Sequence, residues 1–180
     1  MAEQEKTLVD KYVNFMSISK SEQKKLSDCL SLAHILKSNR ESFTSPGNFR
    51  EIKGNHLIPR ANYAINQIGQ FFDDNNTIRS LRNYAVTTNI LLDSIYSNLA
   101  KKQNEKNRYI HQKLDAYLSE NQKKLSLSQK SVLMINSLLS VTSTLVGMRS
   151  ELYVDDVIGS IQSDFVGDPS KFWEKDFINS

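Results

Sequence analysis

Residues able to carry out chemistry are few in this chain and widely separated. Its three histidines, His34, His56 and His111, belong to no H-E-x-x-H or similar ligand spacing. His111 and Asp115 lie one helical turn apart and could share a metal ion. Two ligands do not define a metal site, however, and an i, i+4 pair of this kind is ordinarily solvated. The single cysteine, Cys29, excludes an intrachain disulfide and a zinc site built on several thiolates. It falls on an apolar stripe, where a thiol behaves as a small hydrophobe. No G-x-S-x-G, phosphate-binding glycine loop, dinucleotide fingerprint or paired-carboxylate motif is present. The expectation is a protein without catalytic residues, metal or cofactor, which works by binding.

One spacing invites a catalytic reading. Arg50 and His56 fit the loose R-x(4 to 6)-H pattern of a group of helical ribonucleases. Gly54 interrupts that segment and Pro46 and Pro59 flank it, so a broken helix is expected there. At Arg82-Asn83, where a helix is expected, no histidine follows at the required distance.

Three segments carry possible binding chemistry. Residues 101–130 hold eight basic and three acidic groups, whereas 150–180 hold two basic and seven acidic. The basic stripe Lys101, Lys102, Lys106, Arg108, Lys113, Lys123 and Lys124 could contact phosphates, since clustered cations release counterions on binding. It has no zinc finger, helix-turn-helix spacing or aromatic RNA-binding pattern beside it, and charge runs are usually solvated faces. Residues 131–148 carry no charge between Lys130 and Arg149. As one helix they would span roughly 27 Å, near the lower limit for a bilayer. Asn136 and six Ser or Thr residues favour a buried central helix over a membrane-inserting one. The tail 168–180 places Phe172, Trp173 and Phe177 after the last breaker, either as a docking element or as a latch on the core.

The elements that must position these groups follow from breakers and periodicity. Pro46, Gly47, Gly54 and Pro59 crowd one region, while residues 70–146 contain neither glycine nor proline. Leu8, Tyr12, Phe15 and Met16 predict a first helix over about 3–17. Ser19 and Glu22 form a capping box for a second, running to about residue 38. Residues 39–60 predict an ordered irregular connection, because a solvated linker has no use for Phe43, Phe49, Ile52, Leu57 and Ile58. A third helix is expected from Arg60 or Ala61 until DDNN at 73–76. Beyond it, Ile78, Leu81, Ala85, Leu92, Ile95 and Leu99 hold a near-heptad seam. That seam lapses at 101–107 and resumes at Ile110, Leu114 and Leu118, predicting a long central helix or helix pair over about 77–125. Further helices are expected from Ser128 to Gly147 and over about 150–166.

Leu, Ile, Val and Phe make up 28% of the 180 residues, above the roughly 20% below which charged chains stay disordered. The reading is therefore an all-α, single-domain helical bundle of about six helices. The acidic start MAEQEKTLVD lacks the features of a signal peptide, so a cytoplasmic location is expected, host cytoplasm included for a phage or viral protein. The expected partner is another protein, reached through Phe43, Phe49, Ile52, Leu57, Phe172, Trp173 and Phe177. Self-association through the 78–99 seam is a second expectation; membrane insertion and nucleic-acid binding are weaker ones.

Overall fold

A computed structural model describes residues 1–138, 141, 151–161, 164, 166 and 168–172. The chain is all-α, with no strand among the described residues. It divides into two compact units, Met1–Gln103 and Asn104–Ser180. The division falls inside KKQNEKN, where the apolar seam lapses because consecutive charged and amide side chains leave nothing to bury.

In the first unit α1 (Ala2–Lys11) is followed by a 3₁₀ turn, then α2 (Lys20–Cys29) and α3 (Leu32–Ser38). The capping box forms as its spacing predicts: the Ser19 hydroxyl accepts from the Glu22 amide at 3.2 Å, and the Glu22 carboxylate accepts from the Ser19 amide at 3.0 Å. These bonds hold the Glu22 carboxyl below its ordinary range. The second helix expected to reach residue 38 is split between Leu30 and Ser31.

Residues 39–60 are mostly helical instead of irregular. A 3₁₀ turn at Arg40–Ser42 precedes α4 (Pro46–Ile52), and a π turn at Lys53–Leu57 leads directly into α5 (Ile58–Phe71). The start is written in Ser45-Pro46: the Ser45 hydroxyl accepts from the Asn48 amide at 3.1 Å, and Pro46 occupies a first-turn position where its missing N–H costs nothing. Pro59 likewise sits in the first turn of α5. The widened π turn before it accommodates a ring that would crowd the carbonyl four residues back. The backbone is therefore helical across Arg50 and His56, and the expected break at Gly54 does not occur.

The long helix is α6 (Asn75–Asp115). Asp74 starts it by accepting from the Asn76 and Thr77 amides at 3.0 Å each. The Thr77 hydroxyl adds a further bond, and together these hold the Asp74 carboxyl below its ordinary range. Thr77, Leu81, Tyr84, Thr88 and Leu92 form its buried stripe at three- and four-residue spacing. Leu81, Tyr84 and Leu92 pack with Leu8, Val13, Leu26, Leu32, Phe49, Leu57, Ala64 and Ile68 in the core of the first unit.

A buried carboxylate ties three of these helices. Glu5 of α1 is 5% exposed, and its oxygens accept from the Ala33 amide at 3.2 and 3.3 Å. Ser31 makes no side-chain cap for α3, so Glu5 serves that helix end from outside. The Tyr84 hydroxyl of α6 donates to the same carboxylate at 3.2 Å.

In the second unit the end of α6 precedes a 3₁₀ turn at Gln122–Lys124, then α7 (Leu127–Asn136), α8 (Glu151–Ile161) and a single turn at Ser170–Phe172. Ser126 caps α7, two residues before the expected Ser128, in a capping box with Gln129. Ser126 and Ser128 hydroxyls both donate to Asp156 of α8. The two helices come so close that a Cβ on Gly159 would lie 2.6 Å from the Gln129 amide nitrogen. Leu114, Leu118, Leu133, Met134, Val166 and Phe172 form the core, with Tyr117 edge-on to Phe172 at 5.6 Å.

Burial raises the Glu5 carboxyl above its ordinary range against the hydrogen bonds that lower it. A carboxyl raised in the folded chain favours folding in its protonated form. Its contribution is complete below the ordinary value of 4.5 and is lost as pH rises through the folded value. Glu5→Gln is expected to remove this slope. Urea unfolding should show the variant gaining on the native chain between about pH 4 and about pH 7. A variant that loses ground over that interval would refute the assignment.

Candidate interaction faces of the long helix

The residues expected to meet a partner are largely core residues. Phe49, Leu57 and Phe172 are buried, so their side chains hold the units together and offer no free surface. Phe43 and Ile52 are half-buried and pack against the first core, Phe43 edge-on to Phe49 at 5.0 Å. Trp173 and Phe177 lie outside the described residues. The 78–99 seam, expected to allow self-association, is mostly spent inside the first unit: Leu81 and Leu92 are buried, and Ile95 and Leu99 pack against them.

What the first unit does expose is the opposite side of α6. Val86 and Ile90, one turn apart, are 52% and 62% exposed, and Ile78 at the border is 42% exposed. Helical spacing places Arg79, Arg82 and Asn83, all exposed, around them. Sequence reading missed this face because the near-heptad rule assigned Ile78 to the seam and left Val86 and Ile90 unassigned. Beside it α1 and α6 enclose a cleft of about 440 Å³, lined by Met1, Glu3, Gln4, Thr7, Leu8, Ser80 and Asn83. Gln4 donates from Nε2 to the Thr87 hydroxyl at 3.2 Å. Its buried Oε1 has no hydrogen-bond partner among the described residues, so the cleft offers a donor-seeking carbonyl next to an apolar ridge.

In the second unit the outward side of α6 is basic. Lys106 and Arg108 are exposed, Lys113 is half-buried, and Tyr109 is 57% exposed with the Lys113 Nζ 5.6 Å from its ring centroid. Lys101 and Lys102, at the end of the first unit, are exposed. Lys124 is exposed, whereas Lys123 pairs with Glu120 at 2.6 Å. Arg50 and His56 are both exposed on α4 and the π turn.

The His111–Asp115 pair is neither a metal site nor simply solvated: a third residue completes it. Lys130 of α7 is wholly buried. Its Nζ reaches Asp115 Oδ1 at 2.6 Å, His111 Nδ1 at 2.7 Å and the Lys123 carbonyl at 2.7 Å. An ammonium can only donate, so Nδ1 accepts and the ring proton belongs on Nε2. Three protons meet three acceptors, which is what a charge removed from water requires. Sequence reading treated Lys130 only as the bracket of the uncharged segment.

Of that segment, Val132, Leu133 and Met134 are buried and α7 closes at Asn136. The helix expected to continue to Gly147 thus ends early among the described residues; positions 139, 140 and 142–148 lie outside them. No helix of the described residues is long and apolar enough to cross a membrane. No group of three or more His, Cys, Asp or Glu among the described residues could hold a metal ion. Burial raises the Cys29 thiol above its ordinary range, which keeps it protonated and a poor nucleophile. The chain matches no family model, and no curated protein or solved structure matches it.

Removing Lys130 should cost more than its volume. Lys130→Ala is expected to lower stability by about 2–4 kcal/mol, through lost ion-pair bonds and a cavity. Lys130→Met refills the space and should lose less than half as much, since Asp115 and His111 are partly exposed and can turn to water. Urea unfolding followed by circular dichroism checks both, and equal losses would contradict an ammonium-centred role.

Proposed function

We propose that this is a non-enzymatic helical interaction protein that binds another protein through the outward face of α6 in its first unit. The observation that carries the reading is the exposure of Val86 and Ile90 on the side of α6 opposite its buried stripe. Two large aliphatic side chains side by side in water are a feature of recognition faces, where their burial contributes roughly 1.5–3 kcal/mol each. Arg79 and Arg82 beside them select an acidic partner, because rim charges steer encounter and set orientation. The cleft alongside adds the Gln4 carbonyl as an acceptor for a side-chain or backbone N–H. Together these features suit an acidic amphipathic helix laid along α6, its apolar side on Val86 and Ile90.

Val86→Asp and Ile90→Asp place charge on an already exposed surface and should leave the far-ultraviolet circular dichroism and melting temperature of the chain unchanged. Each is expected to abolish capture of a partner that the native chain retains, and Arg79→Glu with Arg82→Glu should weaken it at low salt more than at high salt. Complexes that survive both aspartate substitutions would overturn the reading. Sedimentation of the purified chain separates the other occupant: a dimer dissolved by Ile90→Asp would make a second copy the partner.

A further inference from the structure

We propose that the second unit binds single-stranded nucleic acid along the outward face of α6, with Tyr109 as a base-stacking platform and Lys106, Arg108 and Lys113 as phosphate contacts. This surface lies on a different unit from the protein-binding face, and it stands on its own observations. Lys106, Tyr109 and Lys113 recur at three and four residues and therefore share one side of the helix; Arg108 and Gln112 form the adjacent row. Tyr109 is 57% exposed, an unusual state for a side chain that normally buries its ring. The Lys113 ammonium stands 5.6 Å from the ring centroid, so a cation is held at the aromatic without covering it.

The composition of the face favours a polyanion over a protein. Lysine is depleted from the cores of protein interfaces, whereas cations interleaved with an open aromatic ring are what single-strand binding surfaces use. A duplex keeps its bases stacked and cannot present one to a tyrosine on a convex helix, so the ring selects single strands. Glu105 is the acidic residue on this stretch of α6. The acidic side chains of α8 are engaged elsewhere in part: Asp156 accepts from Ser126 and Ser128.

The test is fluorescence anisotropy of the full chain with a fluorescein-labelled twelve-nucleotide oligo(dT), with a duplex of equal length and phosphatidylserine-containing vesicles as competitors. Three phosphate contacts predict a salt slope near −2, hence roughly a twenty-fold loss of affinity between 50 and 200 mM salt. Lys106→Glu with Arg108→Glu should flatten that slope. Tyr109→Ala should weaken binding about five-fold or more with the slope kept, the signature of stacking in place of charge. The proposal is overturned by absence of binding at 50 mM salt, by a Tyr109→Ala variant that binds as well as the native chain, or by duplex or vesicles competing as effectively as the oligonucleotide.

Discussion

A group that carries charge cannot be taken out of water unless its partners are waiting for it, and each unit of this protein is arranged around one such group. In the second unit the Lys130 ammonium has lost all contact with solvent, and its acceptors come from the end of α6 and the 3₁₀ turn after it. In the first, Glu5 joins α1, the open end of α3 and Tyr84 of α6. Apolar packing supplies most of the driving force, but it is tolerant of small shifts. A buried ion with fixed donors or acceptors is not, because an unmatched bond there costs as much as several buried methylenes. These two nodes therefore set which side of α6 turns inward in each unit.

The consequence is a helix with a committed side and an open side throughout its length. Inward, Leu81, Tyr84 and Leu92 serve the first core and Leu114 the second. Outward, its chemistry changes along the sequence: Val86 and Ile90 with two arginines early, then Lys106, Arg108 and Tyr109 later. The change coincides with the lapse of the apolar seam at 101–107, where the chain passes from one unit to the next. One helix thus carries two surfaces of distinct recognition chemistry, and neither needs a cofactor or a reactive side chain to act.

Much of the fold was legible because it rests on local rules. The breaker-free stretch 70–146 announced α6, and the Ser19–Glu22 spacing announced the start of α2. Ser45-Pro46 was equally legible but was read as loop chemistry; a hydroxyl followed by proline is also a helix start, and Phe49 one turn later is the buried residue that start positions. The split at Leu30 and Ser31 and the closure of α7 at Asn136 have no local breaker to mark them and depend on packing. The candidate surfaces were harder. Large apolar residues in an irregular-looking segment suggested a contact face, yet Phe49 and Leu57 are core residues and the exposed ones lie on a regular helix. The Lys130 node depends on three acceptors drawn from separate segments, and only the His111–Asp115 spacing hinted at it.

The measurement that bears most directly on this two-sided helix is hydroxyl-radical footprinting of the native chain, read residue by residue by mass spectrometry. The account predicts rapid oxidation of Ile90 and Tyr109 and protection of Tyr84 and Leu92, on the same helix in the same sample. Modification of Tyr84 at a rate matching Tyr109, or protection of Ile90 and Tyr109 in the dilute monomer, would contradict it.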